Sequence, residues 1–269
     1  MYSSGLIKIV LEYLCPPRCL ICGQGLPTVV NNKLLQSYIC SDCERKFDSH
    51  SLVPQNQATI CDKCGEIFQP RTKEDRTCLI CRVAPLFPDH LRSLYTYHQE
   101  NNELLLFKFK YFNKFNLALP LANLISSQIN QVFHTTNWDL IIPIPSAPNL
   151  LKKRGYNHTY LLAKAVAKEL NITSSVNILV SKRERAAQTL LSPEQRSQNM
   201  QDAYKISPAG KEKILNKKIL LIDDMLTTGA TINSASQLLI ANQVQSVDVL
   251  TLFRSSHFSK HRVKAILNS

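Results

Sequence analysis

The sequence lacks any apolar run long enough to cross a membrane. Its longest runs, such as Ile219-Leu220-Leu221-Ile222, fall far short of the roughly 18 residues that a transmembrane helix needs. Residues 1–14 carry apolar side chains at helical spacing, but no small-residue cleavage site follows them, which argues against a secretory signal. We therefore expect an amphipathic helix at residues 1–15 and a cytoplasmic protein that is not an integral membrane protein.

Acidic residues are scarce in the C-terminal two thirds of the chain. Residues 1–89 contain 10 Lys and Arg against 9 Asp and Glu, whereas residues 90–269 contain 22 against 11. This excess of positive charge in residues 90–269 attracts anionic partners such as nucleic acid, nucleotides or a negatively charged surface. The alternative is a basic enzyme without such a partner. The apolar fraction of 44% excludes a wholly disordered chain.

Cysteine is absent beyond residue 81. Eight of the nine cysteines form four C-x-x-C pairs, and two such turns complete the tetrahedral Cys₄ site of a zinc ribbon. The pairs are Cys19/Cys22, Cys40/Cys43, Cys61/Cys64 and Cys78/Cys81. Separations of 17 residues between the first two pairs and 13 between the last two favour sequential over interleaved sites. Cys15 remains as a spare thiol.

Residues 16–89 are therefore predicted to form a double zinc ribbon. The missing secretion signal argues against a disulfide framework. A closed Cys₄ site leaves no coordination position for a substrate, so we expect two structural Zn²⁺ ions. Because this segment has little continuous apolar sequence, metal binding is expected to supply much of its folding energy.

Beyond residue 89 the sequence alternates between strand and helix patterns, which predicts an α/β domain over residues 90–255. The predicted strands are 94–98, 140–144, 219–222 and 247–253, and the predicted helices are 117–132, 159–170 and 231–241. In such sheets the ligand lies at the carboxyl ends of the strands. Residues 256–269 are expected to extend a basic surface or to form a partly ordered terminus.

The most specific motif is residues 220–231, LLIDDMLTTGAT, in which an apolar strand leads to two carboxylates and a turn that opens a helix. Such a turn presents backbone N–H groups and hydroxyls to a phosphate. An ordinary strand-to-helix turn is the alternative. The motif resembles the phosphoribosyl pyrophosphate (PRPP) motif of type I phosphoribosyltransferases. The resemblance implies that Asp223 and Asp224 contact ribose, with Mg²⁺ accompanying the ligand. It assigns the phosphate to Thr227, Thr228, Gly229, Ala230 and Thr231.

A second segment narrows the family. The strand end IIPIPS at residues 141–146 is followed by KKRGYNH at residues 152–158. Together they resemble the P-x-P strand end and the R-G-F/Y-N-Q motif of ComF-type proteins, with His158 in place of the usual glutamine. The cations suit a pyrophosphate or a nucleic-acid backbone equally. The residues assigned to this role are Lys152, Lys153, Arg154, Gly155, Tyr156 and Asn157. We expect His158 to be a surface or hydrogen-bonding residue rather than a catalytic base.

A third segment resembles a stretch that ComF proteins carry after this point. Gln188, Arg196 and Asn199 carry over best, and the resemblance implies that they lie on a mobile loop above the site; a solvated charged loop is the alternative. The Lys110-Tyr111 pair matches a recurrent pair at the start of the family's domain, without an assigned chemistry.

The resemblance to the ComF (ComFC/GntX-like) family covers nearly the whole chain. It implies a type I phosphoribosyltransferase-like parallel sheet flanked by helices and preceded by a small Cys₄ double zinc-ribbon module. It also implies a role in natural transformation, in which the protein handles incoming single-stranded DNA. The expected partners are single-stranded DNA, PRPP or a related sugar phosphate, and a DNA-uptake helicase.

Two other functions stay open at this stage. One is a phosphoribosyltransferase that uses PRPP and Mg²⁺ on an unknown acceptor, although no segment has the character of an acceptor-selecting hood. The other is a nucleotide-sensing scaffold without turnover. For the DNA role, four aromatic residues could stack bases, or could instead form core. They are Tyr111, Phe112, Phe115 and Tyr156.

Overall fold

The structure is a computed structural model that describes residues 17–26, 38–48, 50–53, 59–70, 72, 75–97, 103–111, 115–182 and 203–267. Several predicted features lie outside these residues. They are the helix at residues 1–15 with Cys15, the aromatic residue Phe112, and the loop residues Gln188, Arg196 and Asn199.

A five-stranded parallel sheet forms the centre of the described fold, with the strand order β1-β7-β6-β2-β3. A separate antiparallel pair joins β4 to β5. The strands are β1 (His90–Tyr97), β2 (Leu140–Pro143), β3 (Thr173–Ser174), β4 (Leu179–Ser181), β5 (Tyr204–Ile206), β6 (Lys218–Leu226) and β7 (Ser246–Ser255). The long central strands β6 and β7 are buried over most of their length, as expected for a parallel sheet covered on both faces.

Helices cover both faces of this sheet. They are α1 (Ser41–Asp48), α2 (Leu79–Val83), α3 (Glu103–Tyr111), α4 (Ala118–Val132), α5 (Pro148–Arg154), α6 (His158–Leu170), α7 (Pro208–Ile214), α8 (Ala230–Ala241) and α9 (Phe258–Leu267). Local chemistry sets the boundary between α5 and α6. Helix α5 ends at Gly155, which has a left-handed φ of 76°, and Asn157 then caps α6 by accepting a hydrogen bond from Tyr160 N. The predicted α/β fold class is confirmed.

Alternating residues of β6 and β7 divide the interior into two apolar clusters. Leu220 and Leu250 belong to one cluster, which also contains Cys19, Cys40 and Cys43. Leu221 and Val249 belong to the other, which contains Cys61, Cys64, Cys78 and Cys81. Successive side chains of a strand point to opposite faces of its sheet, so the two halves of the cysteine array pack on opposite faces.

The chain between the two halves crosses the edge of the sheet at β1. Ser51 forms an antiparallel bridge with Tyr95. Two backbone hydrogen bonds extend the contact, from Leu52 N to Leu94 O and from Thr96 N to His50 O. The cysteine module therefore reaches around the open edge of the sheet.

The chain after residue 255 contains a helix that the sequence analysis did not predict. Residues 258–267 form helix α9 within the basic C-terminal segment. Phe258 and Arg262 on this helix are buried, with exposed fractions of 1% and 7%. The tail is ordered because these two side chains pack into the second half of the cysteine module, a contact that sequence periodicity does not reveal.

Candidate functional site

Strand β6 carries the carboxylate pair toward its carboxyl end. The prediction placed the end of the strand at Ile222, but β6 continues through Asp223 and Asp224 to Leu226. Asp224 is buried, with an exposed fraction of 5%, whereas Asp223 is partly exposed. Asp224 N donates a hydrogen bond of 2.8 Å to Asp223 Oδ1. The strand backbone therefore holds the two carboxylates in different environments.

Two cationic or hydrogen-bonding groups meet at Asp224. Its Oδ2 lies 2.6 Å from Lys110 Nζ and 3.1 Å from His158 Nε2. Burial alone would raise the pKa of Asp224, but Lys110 and His158 outweigh it and hold that pKa well below its usual range. Burial and the neighbouring Asp224 charge instead raise the pKa of Asp223 well above its usual range. The pair thus contains one firmly ionised carboxylate and one that binds a proton readily.

Arg154 completes the polar network around His158. Its Nη1 lies 3.2 Å from His158 Nδ1, and its Nη2 donates to Tyr111 Oη at 3.0 Å. Since a guanidinium only donates, Nδ1 accepts and His158 Nε2 carries the proton that points to Asp224. The expectation that His158 is a hydrogen-bonding residue agrees with these contacts, and its 2% exposure shows that it is not a surface residue.

The turn after β6 forms what we call the phosphate loop, residues 227–231. Gly229 is the N-cap residue of α8, with a left-handed φ of 82°, and it has no side chain that could cap the helix. Thr228 Oγ1 accepts a hydrogen bond of 3.3 Å from Ala230 N. The first amides of a helix point outward without intrahelical partners, so this end of α8 can receive an anion.

A cavity of about 230 Å³ joins the carboxylates to the phosphate loop. We call it the carboxylate pocket. It is lined by Lys110, Ile144, Ser146, Ala147, Leu150, Arg154, His158, Thr159, Tyr204, Asp223, Asp224, Met225, Thr227 and Thr231. Thr159 Oγ1 donates to Ile144 O at 2.7 Å, which ties the start of α6 to the end of β2. Four strand ends and helix starts therefore converge on one polar cavity, as the fold class leads us to expect.

The structure separates the basic run that the sequence analysis treated as one group. Arg154 lines the carboxylate pocket, while Lys152 and Lys153 are exposed on α5 outside its lining. Gly155 turns the chain after the helix, and Asn157 serves as the cap of α6. Tyr156 is partly buried, and its hydroxyl donates to Phe109 O. Of this run, Arg154 is the residue that lines the carboxylate pocket.

Sequence reasoning missed the role of Lys110. The Lys110-Tyr111 pair was visible as a family feature, but its contact with Asp224 joins α3 to β6 across more than a hundred residues. Only the folded chain brings these groups together. The sequence signal that singled out Lys110 was the match of the Lys110-Tyr111 pair to a recurrent pair of the ComF family.

Exposed aromatic rings lie beside the basic residues of α5. Phe107, Tyr111 and Phe115 have exposed fractions of 45%, 42% and 49%, so they are not core. The Phe107 and Tyr111 ring centroids are 5.0 Å apart, and the Arg154 guanidinium lies 4.7 Å from the Tyr111 centroid. We call Phe107, Tyr111, Phe115, Lys152 and Lys153 the aromatic–basic surface.

The cysteines form two groups of four, paired sequentially as favoured from their spacing. Their sulfur atoms lie within 4.8 Å of one another in each group. The first cluster is Cys19, Cys22, Cys40 and Cys43, and the second cluster is Cys61, Cys64, Cys78 and Cys81. Sulfur–sulfur distances of 3.7 Å between Cys22 and Cys40 and 3.8 Å between Cys64 and Cys78 match tetrahedral thiolates around a metal ion. Both donor sets therefore fit a closed tetrahedral metal site.

Within the described residues, no helix has the length and apolar character needed to cross a membrane.

Comparison with known proteins agrees with this architecture. Residues 157–267 match the phosphoribosyl transferase domain family. Competence protein F of Haemophilus influenzae is 27% identical over 88% of this chain and 97% of its own. Competence protein ComFC of Streptococcus pneumoniae is 26% identical over 88% of this chain and 100% of its own. The DNA utilization protein YhgH of Escherichia coli O157:H7 is 26% identical over 81% of this chain and 90% of its own.

Among solved structures, adenine phosphoribosyltransferase of Saccharomyces cerevisiae is 15% identical. It covers 57% of this chain and 77% of its own, with a TM-score of 0.39. The fold assignment rests on the strand order and the family match.

The parallel sheet, the acidic strand end and the helix-opening loop define a phosphoribosyltransferase-type domain, here preceded by two Cys₄ clusters. Similarity over most of the chain connects this architecture with the competence and DNA utilization proteins. These relatives confirm the resemblance to the ComF family that the sequence motifs indicate.

Proposed function

We propose that this protein is a DNA-uptake factor that handles incoming single-stranded DNA in the cytoplasm and binds PRPP or a related sugar phosphate. The observation that carries the proposal is the carboxylate pocket, in which Asp223 and Asp224 share one cavity with the phosphate loop. The competence and DNA utilization names of the relatives support the DNA role.

The pocket offers a complementary group for each part of a ribose phosphate. The two carboxylates can accept hydrogen bonds from vicinal ribose hydroxyls, and the amides of the phosphate loop can donate to a phosphate. Arg154 is a guanidinium donor that also lines the pocket, and its buried Nε makes no hydrogen bond to the protein. Lys110 and His158 keep Asp224 charged and oriented.

Mg²⁺ suits this ligand because its phosphates and the nearby carboxylates are hard oxygen donors. When bound, the ion would offset the negative charge of the pyrophosphate. We assign Zn²⁺ to the two Cys₄ clusters because four thiolates in a closed tetrahedron are its usual structural site. The Cys₄ module would also supply the contact surface for a DNA-uptake helicase.

The PRPP site is tested by calorimetric titration of the protein with PRPP and Mg²⁺. Wild type is expected to bind, and the Asp223→Asn, Asp224→Asn double variant to lose most of its affinity while it remains folded by circular dichroism. The reason is that asparagine keeps the shape but removes the anionic acceptors. Equal affinity in the two proteins would show that the carboxylates do not contact the ligand.

The aromatic–basic surface is the proposed route of the DNA strand. It combines exposed rings for base stacking with exposed lysines for phosphates, and it includes Tyr111, which contacts Arg154 at the carboxylate pocket. Stacking contributes about 1 to 3 kcal/mol per base, and each phosphate contact adds to the salt dependence of binding.

Fluorescence anisotropy with a labelled oligothymidylate tests this route. Lys152→Gln with Lys153→Gln should weaken binding and lower the slope of log affinity against log salt by about 2. Phe107→Leu with Phe115→Leu should weaken binding with the salt slope unchanged, because stacking carries no net charge. Matched controls are Lys211→Gln with Lys213→Gln on exposed α7 positions, and Phe87→Leu at another exposed ring. Equal losses in the controls would contradict the assignment of this surface.

A further inference from the structure

The second cluster is held in the protein by three buried arginines. Arg262 Nη1 donates to Cys81 Sγ at 3.2 Å, Arg254 Nη1 to Cys64 O at 3.4 Å, and Arg92 Nη1 to Cys61 O at 3.4 Å. The exposed fractions of these arginines are 7%, 6% and 2%. Four thiolates around a divalent ion carry a net charge of −2, which gives Arg262 an anionic counterpart, whereas Arg254 also lies 3.2 Å from Glu66 Oε2.

Arg262 and Arg254 in turn both lie near the ring of Phe258. Their guanidinium carbons lie 5.6 Å and 5.9 Å from the ring centroid, within the range of cation–π attraction. The ring is 1% exposed, so its position is set by these neighbours and by the residues packed against its other side. An arginine that donates to a metal-site sulfur thus also supports an aromatic ring.

The ring of Phe258 packs directly beneath the phosphate loop. A Cβ atom on Gly229 would lie 3.3 Å from Phe258 Cε2, closer than most side-chain contacts allow. Gly229 also has a left-handed φ of 82°, which residues with a side chain rarely adopt. For both reasons only glycine fits at this position beside the ring. The ring of Phe258 therefore packs against the backbone at the start of α8.

A second contact joins the module to the same helix. Phe87 N, shortly after α2, donates a hydrogen bond of 3.2 Å to Asn233 Oδ1 in the first turn of α8. Asn233 N donates to Gly229 O at 2.8 Å. The first turn of α8 thus contacts the cysteine module through Asn233, while Gly229 just before it contacts Phe258 of α9.

The first cluster contacts the domain elsewhere. Lys108 Nζ on α3 donates to Leu20 O and Ile21 O, between Cys19 and Cys22. This cluster belongs to the apolar cluster on the other face of the sheet. The two metal sites therefore have different structural neighbours.

We infer that the metal ion of the second cluster positions the phosphate loop, through Arg262 and Phe258, for the ligand of the carboxylate pocket. A filled Cys₄ cluster is rigid and anionic, so it fixes Arg262, which fixes Phe258 beneath Gly229. Loss of the metal removes both the negative charge and the rigidity of the cluster. Arg262 and Phe258 are then no longer fixed, and the amides of the phosphate loop are no longer held in position. Arg262 and Phe258 are positioning residues, and the inference rests on the proposed sugar-phosphate function of this pocket.

Hydrogen exchange of the zinc-loaded full chain, measured on a peptide that spans residues 227–231, tests this coupling without any ligand. Arg262→Lys keeps the charge but loses the planar donor, and it should speed exchange at the loop by roughly 2- to 30-fold. Phe258→Leu should also speed it, because it removes the ring beneath Gly229. Arg82→Lys is the matched control, since Arg82 also lies beside Cys81 but has an exposed side chain.

Metal release to a chromophoric chelator separates the two steps of the coupling. Arg262→Lys should accelerate release of one of the two ions, whereas Phe258→Leu should loosen the loop with the metal still held. PRPP titration of the same variants should show weaker binding in both and unchanged binding in Arg82→Lys.

Unchanged loop exchange in Arg262→Lys and Phe258→Leu would overturn the coupling even if wild type binds PRPP. Faster loop exchange in a protein that does not bind PRPP would instead sustain the coupling and refute the proposed ligand. Faster metal release with unchanged loop exchange would mean that the second cluster serves stability alone.

Discussion

Asp223 and Asp224 are neighbours on one strand, yet their surroundings give them opposite electrostatic properties. Asp224 is compensated by Lys110 and His158, while Asp223 faces the pocket beside an existing negative charge. A ligand that donates hydroxyl hydrogens or brings a cation would relieve the repulsion between the two carboxylates. The empty pocket is therefore destabilised by electrostatic repulsion between its carboxylates, and ligand binding can remove that repulsion.

We predict that the two single variants change stability in opposite directions. Asp223→Asn should raise the free energy of unfolding at pH 7 by on the order of 1 kcal/mol, because it removes a carboxylate that is costly to ionise. Asp224→Asn should lower it by about 1 to 3 kcal/mol, because it leaves Lys110 and His158 without their acceptor charge. Chemical denaturation at constant ionic strength measures both changes.

The pH dependence follows from the two pKa directions. The raised pKa of Asp223 gives a cost that grows as the pH rises from about 3.9, the ordinary aspartate value, toward its folded pKa. The gain from Asp223→Asn should therefore be larger at pH 7 than at pH 5. Asp224 has a lowered pKa, so its stabilising contribution is complete above about 3.9 and is lost only as the pH falls through its folded pKa. A gain from Asp223→Asn that is independent of pH would contradict this assignment.

At the level of helices and strands, elements with a regular apolar period could be predicted from the sequence. The positions at which they end beside the pocket were harder to predict. The apolar pattern correctly indicated the cores of β6, β7, α4, α6 and α8, because a buried strand or helix face has a period that the sequence shows directly. It ended β6 too early, since the two aspartates break the apolar pattern while the strand stays paired with β7 at Asp223, Met225 and Leu226.

Short or mixed elements escaped the sequence analysis for a related reason. Helix α3 carries apolar residues on several sides together with two lysines, and α9 carries four basic residues. Their order depends on contacts made far away along the chain, such as Lys110 with Asp224 and Arg262 with Cys81. The carboxylate motif and the cysteine pairs were visible because their residues are close in sequence, whereas Lys110 was not tied to the carboxylates because its partner is remote.

Over the whole molecule, the two clusters differ in their access to solvent. Cys22 of the first cluster is exposed, while all four cysteines of the second cluster are buried. A chelator reaches a metal ion more readily beside an exposed thiolate, and in the second cluster Arg262 also restrains the sulfur of Cys81. The two metal ions should therefore leave the protein at different rates.

We predict that a strong chelator releases close to two zinc ions per chain in two phases of equal amplitude. Cys22→Ser should abolish or accelerate the fast phase and leave the slow phase unchanged, as followed by the absorbance of a zinc-sensitive dye. Elemental analysis of the untreated protein supplies the control. A total near one ion per chain would show that only one cluster is occupied, and a single phase would show that exposure does not control release.

Through the short bridge from residues 50–52, the cysteine module covers part of the edge of β1. Strand β1 is the terminal strand of the sheet in the described fold, and an uncovered terminal strand offers its backbone N–H and C=O groups to other chains. The segment between the clusters occupies part of that row of groups. A newly made chain that has not yet acquired its metals would present this row to its neighbours, so metal supply during synthesis would govern how much of the protein escapes aggregation.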